Sequence, residues 1–155
     1  MNDRALLRIW VLLPVIGILL AGCSKKPVTL NEAERNRGFE QMMTGATLVG
    51  HSARTGQDGI SGEERYAIDK VSKLPGDMWI FQARLKYGSH EIPVPIPLQI
   101  QWAGDTPVIT MTDVTIPGLG TYTARVLLYR DQYAGTWSSG SVSGQLFGKI
   151  VCERQ

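Results

Sequence analysis

Two cysteines and two histidines are all that this chain of 155 residues contains, and that scarcity removes several kinds of protein at once. Structural and catalytic zinc sites draw three or four ligands from short, recurring spacings. His51 and His90 share no such spacing with each other or with Cys23 or Cys152, so no metal site is expected. Charge of one sign is scarce too. The 16 basic and 14 acidic residues leave a net charge of +2, and they are dispersed, so no basic stripe exists to follow a phosphate backbone. Nucleic acid is therefore not an expected partner. Long apolar runs are missing: the one candidate, Ile9–Leu20, is interrupted by Pro14 and Gly17 and falls short of the roughly 20 residues that span a bilayer. Ser138, Ser139, Ser141 and Ser143 carry no Gly-x-Ser-x-Gly elbow, and Gly140 and Gly144 belong to a hairpin rather than a phosphate loop. Asp105, Asp113 and Asp131 fall in or beside turns, where aspartate bonds its own backbone. The expectation is a chain that is not an enzyme and holds no cofactor.

What is present begins at the N-terminus. Arg4 and Arg8 precede the apolar run, which ends in Leu20-Ala21-Gly22-Cys23. This segment resembles a bacterial lipoprotein signal peptide with its lipobox, in which small residues admit the peptidase and the cysteine thiol is alkylated by diacylglycerol. The resemblance implies that residues 1–22 are removed, that Cys23 is the lipidation site, and that residues 23–29 form a tether. Two or more acyl chains, at about 0.8 kcal/mol per buried methylene, make such attachment effectively permanent. Ser24 stands where an aspartate would signal retention in the inner membrane. By the same resemblance the chain is expected at the outer membrane, facing the periplasm. Lys25 and Lys26, the one adjacent basic pair, follow the anchor and can touch anionic head groups. Once Cys23 carries lipid, only Cys152 is left and no intrachain disulfide can form. Its place in Ile150-Val151-Cys152 predicts a packed thiol.

Residues 30–155 are of a size that buries an adequate core as one domain. The stretch Thr29–Met43 reads as a helix, with Asn31 as N-cap, Glu34 completing a capping box, and an apolar patch of Phe39, Met42 and Met43. From Gly45 the period changes to two. Trp79, Phe81, Ala83, Leu85 and Tyr87 alternate with Ile80, Gln82, Arg84 and Lys86, placing an aromatic face inward. In Ile92–Trp102 every second residue is apolar, while Pro93, Pro95 and Pro97 share the other face. Alternate N–H groups of a strand point to the same neighbour, so these prolines strip successive donors from one side and predict an open edge, with normal pairing from Leu98 to Trp102. Turns at Gly104-Asp105-Thr106-Pro107 and Pro117-Gly118-Leu119-Gly120 separate strands Val108–Val114 and Thr121–Tyr129. Further strands are expected at Ala46–Ser52, Arg65–Leu74, Tyr133–Ser138 and Gln145–Val151, about seven or eight in all.

Short strands in succession without intervening helices predict a mainly β fold, an antiparallel meander closed into a barrel of lipocalin-like build behind a short N-terminal helix, with a β-sandwich as the alternative. Asp105–Thr110, Ile116–Val126 and Tyr133–Ser138, followed by Gly144, Leu146, Phe147, Gly148 and Ile150, resemble a set of small bacterial proteins of unknown function over roughly Gly45–Val151. That resemblance implies one domain with a Gly/aromatic C-terminal hairpin and brings no activity with it. Gly135-Thr136-Trp137 is similar to the Gly-x-Trp of lipocalins but lies near the opposite end of the chain, and is read as packing. Two functional readings follow. A structural or interaction lipoprotein fills its interior with side chains and meets an envelope protein through its surface. A binding module uses the interior for a small apolar or amphipathic ligand, with Trp79, Phe81, Tyr87 and Trp102 as the lining.

Overall fold

The computed structural model describes residues 30–87 and 90–152. The expected signal peptide, lipidation site Cys23 and tether lie outside the described residues, as do the side chains of residues 85–92. One helix, α1 (Glu32–Met43), leads into eight strands: β1 (Ala46–Arg54), β2 (Glu64–Lys73), β3 (Met78–Tyr87), β4 (His90–Ala103), β5 (Thr106–Ile116), β6 (Gly120–Tyr129), β7 (Gln132–Ser139) and β8 (Val142–Cys152). Each strand pairs antiparallel with the next, and β8 returns to β1 along Ala46–Arg54, closing an up-and-down barrel. Closure leaves no sheet edge at β1 and β8, the two strands that an open sandwich would expose.

The local chemistry explains the helix. The Asn31 side chain accepts from the Glu34 N–H at 2.9 Å, and the Glu34 carboxylate accepts from the Asn31 N–H at 3.1 Å, so two otherwise unpaired donors are satisfied. Glu32 and Glu34 also lie in the first turn, where they oppose the positive end of the helix dipole. Phe39 and Met43, four apart and so on one face, are buried against the barrel. Phe39 meets Trp79 edge-on at 4.9 Å between ring centroids, with Trp102 at 5.9 Å and Phe81 at 6.1 Å. The helix thereby plugs the end of the barrel where β1 begins.

The interior is graded along the barrel axis. At the helix end it is dry: Val71 and Met43 have no exposure, and Trp79, Ile100 and Leu128 have 1%. Every buried apolar residue among the described ones lies between Phe39 and Ile150, so helix and barrel share a single core. Two bulges adjust the alternation. In β2 the register slips between Ile68 and Lys70, letting both Ile68 and Val71 point inward. In β5 it slips between Met111 and Val114, where Asp113 adopts a left-handed backbone at φ 52 and its carboxylate accepts from the Thr123 hydroxyl.

The proline strand behaves as its sequence requires. β4 is laddered to β3 from His90 to Gln99 but to β5 only from Gln99 to Ala103. Pro93, Pro95 and Pro97 are exposed, while Ile96, Leu98 and Ile100 are buried. The Ile100 N–H donates to Asp77 on the β3 side, which places the prolines' nitrogens on the β5 side, the side left unpaired. Cys152 departs from its expected packing: it is exposed on the last residue of β8, beyond the core, with its thiol directed at the Met42 carbonyl at 3.6 Å.

Candidate functional site

The two ends of the barrel differ in what their inward side chains touch. At the helix end Trp79 and Phe81 are 1% and 2% exposed and Trp102 is partly buried, all gathered round Phe39. The Arg35 guanidinium lies 4.7 Å from the Trp102 ring centroid, adding a cation–π contact that holds the plug down. Three of the four aromatics singled out in the sequence are thus brought together, and helix and strands pack against them. The fourth, Tyr87, closes β3 at the other end, and its side chain lies outside the described residues.

At that other end, away from α1, the inward side chains keep contact with solvent. Val94, Met111, Val114, Ile116, Trp137 and Leu146 are partly buried and pack on the rim of the core. The wall is incomplete here in two places. β4 from Pro93 to Leu98 has no partner on its β5 side, and the β2–β3 ladder stops at Ala67 and Arg84, leaving Glu64–Tyr66 paired to β1 alone. The β3–β4 hairpin therefore extends past both neighbours as a two-stranded arm, flanking a cup that opens both axially and through its side.

A polar cluster sits within this cup. Glu64 and Tyr66 lie opposite Gly50 and Leu48 of β1 and so share their inward face. Glu64 accepts from the Ser52 hydroxyl at 2.7 Å and from the Tyr66 hydroxyl. Tyr133 comes from the far side of the β1–β8 junction. Its ring lies over Gly148, its hydroxyl over Gly50, and a Cβ on either glycine would fall within 2.7 Å of it. The two glycines are required there because any side chain would occupy the path of the tyrosine. Tyr133 is 2% exposed and its hydroxyl has no hydrogen-bond partner, a condition that costs about 1–3 kcal/mol in a folded protein. The indole N–H of Trp137 is likewise buried without a partner.

The electrostatics of the cluster are one-sided. Partial burial works to raise the Glu64 carboxyl, but the hydroxyls of Tyr66, Ser52 and Ser61, with His51 nearby, together hold it below its ordinary value. Burial pushes the Tyr66 phenol upward, and the hydrogen bond to Glu64, that carboxylate's charge, and the phenols of Tyr133 and Tyr122 push it further. Burial, followed by the Glu64 charge, raises Tyr133 in the same direction. Glu64 is thus ionised at neutral pH among neutral phenols. The ion pairs among the described residues join Arg65 to Glu63 and Arg84 to Asp69, and none reaches Glu64.

None of Ser52, Glu64, Tyr66 and Tyr133 was among the sequence's candidates. The signal that could have found Glu64 and Tyr66 is the face they share with Ile68, whose continuation to Val71 the bulge at Asp69 breaks. His51 lies on the outer face and its Nδ1 meets the Ser61 carbonyl at 3.0 Å. No group of three or more potential metal ligands occurs among the described residues. Two solvent-open hollows mark the exterior, about 490 Å³ between α1 and the β2 bulge, lined by Arg37, Glu40, Asp69 and Lys70, and about 460 Å³ over β6–β8. Opposed charges line the first, and the second is lined by Thr123, Arg125, Thr136, Trp137 and Ser138 among others.

By fold the protein is a small, closed, eight-stranded meander barrel of lipocalin-like build, with a helix packed into one end. No family model matches the chain, and no curated protein or solved structure matches it.

Proposed function

We propose that this chain is a lipid-anchored envelope protein, without enzymatic activity, whose barrel takes up a small apolar or amphipathic ligand in the half opposite α1. The observation that carries the reading is the freed β4 edge beside inward apolar residues that keep solvent contact. Where Pro93, Pro95 and Pro97 prevent the β4–β5 ladder from closing, Val94, Met111, Val114 and Ile116 line the inner side of the gap. A barrel that served only as a scaffold gains from burying such apolar side chains fully, since dispersion and burial both favour packing them. Small-molecule sites are commonly concave and mostly apolar with a few convergent polar groups, which matches this cup and its Glu64 cluster. Anchoring through Cys23 at the outer membrane would place the cup in the periplasm, within reach of membrane amphiphiles.

The test is a fluorescence titration of the chain from Lys26 onward with N-phenyl-1-naphthylamine, followed by displacement with extracted envelope lipids. Saturable binding that the extract reverses is expected; a linear, non-saturating response would overturn the reading. A second reading has its own observation. Leu127, Ala134 and Phe147 align in one row across β6, β7 and β8 on the outer wall, and Leu127 and Phe147 are 41% and 43% exposed. Such a row suits a protein partner in the envelope. A photocrosslinker at Phe147 that captures one envelope protein while the naphthylamine probe fails to bind would favour that role.

A further inference from the structure

We infer that the cup selects an amphiphile with a cationic, ammonium-type head group, held by the Glu64 carboxylate and the Tyr133 hydroxyl, with its chain against Val94, Met111 and Ile116. The inference rests on the cup reading above and names the ligand's chemistry. Two independent observations point to it. Glu64 brings a full negative charge to the inward face, where it bonds the Ser52 and Tyr66 hydroxyls with Ser61 and His51 nearby, and no lysine or arginine pairs with it among the described residues. Tyr133, 2% exposed and lying over Gly50, directs an unpartnered hydroxyl to the same place. Gly50 is the register partner of Glu64, so the two oxygens belong to one locus.

The chemistry of that locus chooses between head groups. A carboxylate has about four lone-pair sites over its two oxygens, so Glu64 keeps acceptor capacity after binding two hydroxyls. A phenol oxygen accepts as well as donates, and an ammonium brings only donors. A carboxylate head group would meet Glu64 as a like charge, in a cleft that weakens the field less than water does. An alcohol would satisfy the hydroxyl but leave the charge without a counter-ion.

The experiment compares octylammonium, 1-octanol and octanoate on the chain from Lys26 onward by calorimetry at neutral pH. Octylammonium is expected to bind about tenfold more tightly than octanol, a difference of about 1.4 kcal/mol, and octanoate more weakly than both. Glu64→Gln should erase the preference for the amine, so that octylammonium binds the variant no more tightly than octanol does. Tyr133→Phe keeps the ring in place and should lower amine affinity severalfold, which decides the matter if Glu64→Gln fails to fold. Equal binding of all three probes, or amine binding unmoved by both substitutions, overturns the head-group inference while the cup reading stands. Binding of the naphthylamine probe with no response to any octyl compound also overturns it, whereas failure of every probe removes the cup itself.

Discussion

A single missing Cβ sets the geometry of the polar cluster. At Gly148 an added Cβ would lie 2.3 Å from the Val49 carbonyl oxygen and 2.7 Å from the Tyr133 ring, and the first of these is backbone that cannot swing aside. Gly148→Ala should therefore lower stability by about 1–3 kcal/mol, the usual cost of overpacking, with loss of the Tyr133 placement; denaturant unfolding measures it, and an unchanged midpoint would mean the strands part more easily than the register implies. Glu64 adds a pH dependence with a definite sign. Its folded pKa is held down, so the stability it contributes is present above the ordinary glutamate value of about 4.3 and is lost as pH falls through the folded value. Melting temperatures of wild type and Glu64→Gln should differ at pH 6 and converge under acid. A gap that persists at low pH would show that the hydrogen bonds, not the charge, carry the effect. Tyr66 and Tyr133 act in the opposite range: their raised values give stability that is present below the ordinary tyrosine pKa of about 10 and lost as pH rises beyond it. The proposed anchor has its own test: Cys23→Ala has no sulfur to alkylate, so fatty-acid label in cells should vanish and the precursor should stay uncut. Undiminished label would remove the anchor from the account.

Among the elements, β4 carries the most consequence. Its prolines withhold donors from the β5 side only, and the β3 ladder survives intact because the residues between them supply the N–H groups. Replacing Pro93, Pro95 and Pro97 together by threonine restores those donors. If the gap is the way into the cup, β4 should zip onto β5, the protein should stay monomeric, and naphthylamine affinity should fall about tenfold. Light scattering that reveals self-association with binding intact would mean that the prolines guard an edge against other chains instead. This strand was legible from its residues because proline acts on the backbone directly, and because the intervening Ile92, Val94, Ile96, Leu98, Ile100 and Trp102 mark one face. The helix was legible for a similar reason, since Asn31 and Glu34 satisfy each other across three residues. β2 was not. Its inward set changes parity at Asp69, so Tyr66 and Val71 cannot both be placed inward by counting in twos.

For the molecule as a whole, alternation and turns implied a helix and a meander, and the barrel follows because β8 pairs with β1 rather than leaving two sheets face to face. What alternation cannot convey is which stretch of the interior is filled. Trp79, Phe81 and Trp102 have the pattern of a ligand lining, yet a side chain from α1, Phe39, occupies the space between them. Sequence distance hides that contact, because Phe39 stands 40 residues before Trp79. At the opposite end no helix side chain enters among the described residues, and Gly50, Ser52 and Glu64 take inward positions beside Val94, Met111 and Ile116. The most direct measurement of this division uses an octyl chain bearing a nitroxide spin label, added to the chain from Lys26 onward labelled with nitrogen-15. Amide signals of Val94, Met111, Val114, Ile116 and Trp137 should broaden at low probe concentration, while those of Phe39, Trp79 and Leu128 stay sharp. Broadening centred on Leu127 and Phe147, or on α1, would contradict the account.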